Sequence, residues 1–155
     1  MTLVASACTG ADAGAPSSPP TTTSSSADFV ARMDTLMASV NRAQDSNAVV
    51  TVPARPTVVQ RTTGVQTMII RDEDAGTWPA GTYRLVVRCA GEGVLVAHFS
   101  LGDRSVIRQL HDCAGTTSTD ALELVLDRAA PKSVVVLVPA GKSMAAVGYQ
   151  IHKIG

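Results

Sequence analysis

Aromatic side chains are scarce in this chain. Its 155 residues hold one Trp, two Tyr and two Phe. That excludes a core of stacked rings, so Val, Leu, Ile and Ala must supply it, and the abundance of Val leans toward strands. Net charge is absent as well, because 13 basic residues balance 13 acidic ones. With no basic block, nucleic acid and anionic lipid headgroups are poor electrostatic partners. Long apolar runs are also missing. None reaches the roughly 18 residues that a spanning helix needs, so nothing downstream of the N-terminus reads as one.

Most catalytic signatures are lacking too. His98, His111 and His152 form no HxH, HExxH or deaminase spacing. A zinc set of His98, His111 and Asp112 would have to join distant positions, and hydrogen-bonded structural histidines are the plainer reading. There is no GxSxG, and serines cluster near the N-terminus, where no scaffold would hold a nucleophile. Cys113, close to His111, has the look of an activated thiol. Its better partner is Cys89, and a bridged sulfur does not attack. Pro139–Met144 (PAGKSM) ends like a phosphate loop, but it lacks the first glycine and sits between strands. Asp72-Glu73-Asp74 offers oxygen ligands for a cation such as Ca²⁺ without EF-hand spacing, and reads instead as a solvated loop. No cofactor and no metal are expected.

What is present begins with three cysteines. An odd count suggests one pair and one cysteine with a separate job. Cys89 and Cys113 lie in the β-rich region, and Cys8 stands alone near the start. A Cys89–Cys113 bridge would imply an oxidising compartment. In the chain-entropy model it would stabilise by roughly 3–4 kcal/mol. Two buried free thiols are the competing reading.

The chain then divides by composition. Residues 1–10 end in Val4-Ala5-Ser6-Ala7-Cys8, which resembles the end of a bacterial lipoprotein signal. The charged and apolar regions that normally precede it are absent, so this reads as a truncated signal with its lipobox. In that family Cys8 receives the lipid. Residues 11–27 are small, polar or proline and form a candidate flexible tether. Residues 28–64 hold one amphipathic helix, Asp28 to Ala43, with Phe29, Met33, Leu36 or Met37, and Val40 at helical spacing. An extended connector follows, in which Pro53 and Pro56 allow only an edge strand. Residues 65–155 carry strand-like runs divided by turns: Val65 to Arg71, Tyr83 to Cys89, Val94 to Leu101, Ser105 to Leu110, Ala121 to Asp127, Ser133 to Val138 and Ala145 to Ile154. Ala90 to Gly93 reads as a hairpin loop. Ser133 to Val138, apolar throughout, reads as a strand covered on both faces. Together these predict a mainly β protein, an antiparallel β-sandwich of jelly-roll or Greek-key type with one N-terminal helix.

GTYRLVVRCAGEGVLVAHF, then HDCAG, VVVLVPAG and AAVGYQIHKIG, together resemble the C-terminal domains of small actinobacterial secreted lipoproteins of unknown function. The likeness covers about Thr77 to Gly155. It implies a β-sandwich, a Cys89–Cys113 bridge and an envelope location, and it brings no catalytic residues.

The functional expectation is a non-catalytic binding module. It would be held by its lipid to the extracytoplasmic face of the cell membrane, or secreted, and would be monomeric. Its partner would be an envelope glycan or protein. Recognition is placed nearest the Asp72–Gly81 loop, where Asp72, Glu73 and Asp74 flank the only tryptophan, Trp78. Trp78 itself reads as a lid folded back on the core, with an exposed ring for stacking a ligand as the alternative. A small hydrolase using His111 and Asp112, or a purely structural envelope protein, are the alternatives.

Overall fold

The computed structural model describes residues 26–155, so Cys8, the lipobox and most of the expected tether lie outside the described residues. The chain opens with helix α1 (Ser26–Arg42) and continues through strands β1 (Val50–Pro56), β2 (Val58–Arg61), β3 (Gly64–Thr67), β4 (Ile70–Asp74) and β5 (Gly81–Glu92). It closes with β6 (Leu95–Leu101), β7 (Arg104–Gln109), β8 (Ser118–Leu126), β9 (Ser133–Pro139) and β10 (Met144–Lys153). One four-stranded sheet has the order β1-β10-β5-β8, the other β4-β9-β6-β7, and β2-β3 form a separate hairpin. All pairings are antiparallel. Eight strands crossing between two sheets in this order make a jelly roll, which decides between the two topologies the sequence left open.

Alternation builds the core. Tyr83, Leu85, Val87 and Cys89 of β5 point inward with Leu122, Leu124 and Leu126 of β8. Leu95, Ala97, Phe99 and Leu101 of β6 meet them from the other sheet with Val135 and Leu137 of β9. Cys89 and Cys113 are bridged, with Cα atoms 5.4 Å apart. The bridge ties β5 of the first sheet to the segment that follows β7 of the second.

Helix α1 covers the outer face of the first sheet. Met33 and Val40 pack there on Ala54, Ala90 and Ala146, joined by Phe29, Leu36 and Met37. Small residues beneath the helix permit close approach. A Cβ at Gly148 would lie 2.9 Å from Gln44 Nε2 and 3.1 Å from Val52 O. Behind the helix, buried Gln150 is fully engaged: its amide donates to Asp45 O and Thr51 Oγ1, and its carbonyl accepts from Arg88 and Asp45 N.

Several expectations need correction. The sandwich begins at Val50, because β1 is an edge strand of the first sheet with a register shift between Val52 and Arg55. The region read as helix and connector therefore belongs to the domain. The run from Val65 to Arg71 is two strands, since Met68 and Ile69 carry the chain from the hairpin into the second sheet. Asp72 to Asp74 belong to β4 and not to a loop. Ala90 to Gly93 is no hairpin: β5 pairs with β10 and β8, β6 with β9 and β7, so the chain crosses between sheets there. Gly91 (φ 123°) makes the crossing feasible, because a Cβ would lie 2.2 Å from Met144 O. Finally, β9 is covered on one face only. Val138, outward-facing, stays exposed, as does Ile107 of β7 on the same face.

Candidate functional site

The two ends of the sandwich differ. At one end lie the starts of β5 and β9 and the ends of β4, β6, β8 and β10, as the pairings Asp74 with Ser133, Leu101 with Ser133 and Gly81 with Leu126 require. The 75–80 loop, the Gly102-Asp103 turn and the 127–132 loop gather there. Trp78 and Ala130 exchange backbone hydrogen bonds of 2.7 and 2.8 Å, and Gly102 N donates to Lys132 O at 2.8 Å. At the opposite end Ser26 and Phe29 of α1 sit against Pro56 and Val58, and Arg32 pairs with Glu92 at 2.6 Å.

The loop end carries an open groove of about 1030 Å³ between the 102–104 turn and the 126–132 segment. Its floor is small and apolar, made of Leu126, Ala129, Ala130 and Pro131. Five charged side chains surround that floor. Arg104 pairs with Asp127 at 2.6 Å, Arg128 with Asp103 at 3.6 Å, and Lys132 reaches Glu73 at 3.0 Å. Beyond Asp103, which an enzyme pocket shared with His98, His111 and Asp112 would have used, the sequence marks none of these residues, because the two loops are distant in the chain and meet only in the fold.

The residues that sequence reasoning did single out are not brought together in one site. Asp72, Glu73 and Asp74 border a smaller cleft of about 210 Å³ at the open edge between β1 and β4, floored by Val50, Val52, Val135, Tyr149 and Ile151. Asp72 points into the sandwich. It accepts a hydrogen bond from Tyr149 Oη at 2.9 Å and pairs with Arg55. These three groups clasp one sheet to the other. Burial, then the Asp72 hydrogen bond, pushes the Tyr149 phenol well above its ordinary value. Glu73 faces outward, and hydrogen bonds from Lys132 and Arg71 hold its carboxyl below the usual range. Asp74 caps the next turn by accepting from Gly76 N at 2.8 Å.

Trp78 is not a binding ring. It is 3% exposed and packs edge-to-face on Tyr83, with centroids 5.3 Å apart. This is the lid on the core, and burial removes both ring faces from any ligand. Its indole N–H is buried without a partner among the described residues.

The histidines scatter. His98 sits mid-strand on the outer face of the second sheet, across from Ile107 and Val136. His111 follows β7 at the helix end, away from Asp103. Its partner is Asp120 and not Asp112: Nδ1 lies 2.6 Å from Asp120 Oδ1, and His111 N donates to Oδ2 at 2.8 Å. The Asp120 side chain is 6% exposed and the His111 side chain 81%. Cys113, two residues on, is held in the disulfide. Among the described residues no three His, Cys, Asp or Glu are grouped to hold a metal ion, and no helix is long and apolar enough to cross a membrane.

No family model matches this chain, and no curated protein matches it. Among solved structures it is similar to the enzymatically active domain of tailspike protein 4 of bacteriophage CBA120, at 10% identity and TM-score 0.49. The match covers 71% of this chain and 17% of that one.

Proposed function

We propose that this chain is an envelope lipoprotein, anchored through Cys8, whose jelly roll is a non-catalytic binding module that presents its loop-end groove away from the membrane. One observation carries the reading: the described chain enters at Ser26, at the end of the sandwich opposite the groove. A domain hung from its N-terminus at that end turns the three loops outward, where a rigid scaffold positions loop side chains for recognition. The disulfide supports an oxidising compartment. His98 lies on the outer face of the second sheet, Asp103 borders the loop-end groove and the His111-Asp112 pair follows β7 at the other end, and this separation supports the non-catalytic reading.

The test uses the full-length gene. Cys8→Ala moves the protein from the membrane fraction to the soluble or secreted fraction; continued membrane fractionation defeats the anchor. The anchored form is expected to retain isolated envelope material through the groove.

A second reading draws on the His111–Asp120 pair. A buried carboxylate fixing an exposed imidazole is half of a hydrolytic constellation. The nucleophile is the missing half, because the nearby sulfur is bridged. Turnover of any ester or glycoside substrate that His111→Ala abolishes would replace the binding-module reading with this one.

A further inference from the structure

We infer that the loop-end groove is a carbohydrate site selective for acidic sugars, taking an oligosaccharide that carries carboxylates, such as a uronate chain. This rests on the binding-module reading and names its ligand class.

The groove presents two couples of opposite charge on facing loops, Arg104 with Asp127 and Arg128 with Asp103. Each couple offers a guanidinium that only donates and a carboxylate that only accepts. A vicinal diol needs that combination, because each hydroxyl both donates and accepts. Lys132 brings a third cation; its partner Glu73 is shared with Arg71, so the ion pairs bordering the groove hold four cations against three carboxylates, and that surplus favours a ligand bearing negative charge. The charged heads are largely exposed, so their mutual pairs are weak and exchange readily for ligand groups.

The floor argues against a peptide. Ala129, Ala130 and Pro131 are small, and Leu126 is committed to the core, so no pocket awaits a large apolar anchor. The groove lies across loop ends and not along a strand edge, so it offers no backbone ladder for an added strand. The apolar floor suits instead the C–H face of a sugar ring.

Beneath the floor Trp78 does its work. Its backbone holds Ala130 in an isolated β-bridge, and its ring is wedged against Tyr83 in the core below. The tryptophan positions the groove wall and does not touch the ligand.

The experiment is calorimetric titration of the full chain with three probes: tri-galacturonate, neutral maltotriose and a short poly-Asp peptide. Tri-galacturonate is expected to bind roughly tenfold or more tightly than either of the others, a gap typical of one or two charge-assisted contacts. Arg128→Ala with Lys132→Ala is expected to weaken it by at least a similar factor while Tm stays unchanged, since both side chains are exposed. Arg84→Ala, on the outer face of β5 and paired with Glu123, is expected to leave binding intact. Equal binding of maltotriose overturns the acidic selectivity. Equal binding of poly-Asp overturns the carbohydrate assignment. Tri-galacturonate binding that survives the double substitution overturns the site. If envelope material is retained through Arg128 and Lys132 but tri-galacturonate does not bind, the ligand class fails and the binding module stands. If neither binds, both fail.

Discussion

At the scale of single residues, most of the chemistry the sequence advertised serves to hold the fold. Trp78 is a plug. Trp78→Ala removes a large buried ring and leaves a cavity, so a loss of about 3–5 kcal/mol is expected, read as a fall in the denaturant midpoint. Unchanged stability would contradict its burial. Asp72 acts through Tyr149 and Arg55 as a clasp at the open edge. Tyr149 is an acid whose folded pKa lies above the unfolded one, so its contribution is complete below about pH 10 and fades as pH rises beyond. Burial of Tyr83 acts in the same direction. Tyr149→Phe is expected to cost about 1 kcal/mol at neutral pH through the lost hydrogen bond. It should also flatten the alkaline limb of the stability–pH profile above about pH 10. An alkaline limb as steep as that of the unaltered protein would count against the clasp.

At the scale of elements, the crossing segments decide the topology. The β5–β6 connection was legible as a glycine-rich turn, but a turn's composition does not state whether its strands pair with each other. Here Gly91 and Gly93 take positive φ where the chain leaves one sheet for the other. The disulfide straps this crossing to the segment after β7, where Gly115 N donates to Gly91 O and Cys113 N to Gly93 O. Replacing Cys89 and Cys113 together with Ser is expected to lower stability by roughly 3–4 kcal/mol on the loop-entropy model, measured against the oxidised protein in urea. Equal midpoints for the oxidised protein and the double variant would show that the bridge does not constrain the unfolded chain. Helix α1 behaves as its pattern predicted, with its apolar stripe on the sheet and Arg32, Asp34 and Arg42 in water.

At the scale of the whole molecule, the two sheets are finished differently. The outer face of the first is covered by α1, while that of the second stays open, with Ile107 66% exposed. The order β1-β10-β5-β8 over β4-β9-β6-β7 brings three loops distant in sequence to one end and leaves α1's first residue at the other. That polarity gives the proposed anchor and groove a common axis. Sequence by itself pointed to the mainly β class, the helix and the Cys89–Cys113 pairing. These are local properties, written in alternation of period two and in the placement of turn residues. It did not determine which strands pair, that His111 takes Asp120, or that Asp103, Arg104, Asp127, Arg128 and Lys132 share a groove. Each of those joins residues far apart in the chain, and only the closing of the two sheets over one core brings them within reach.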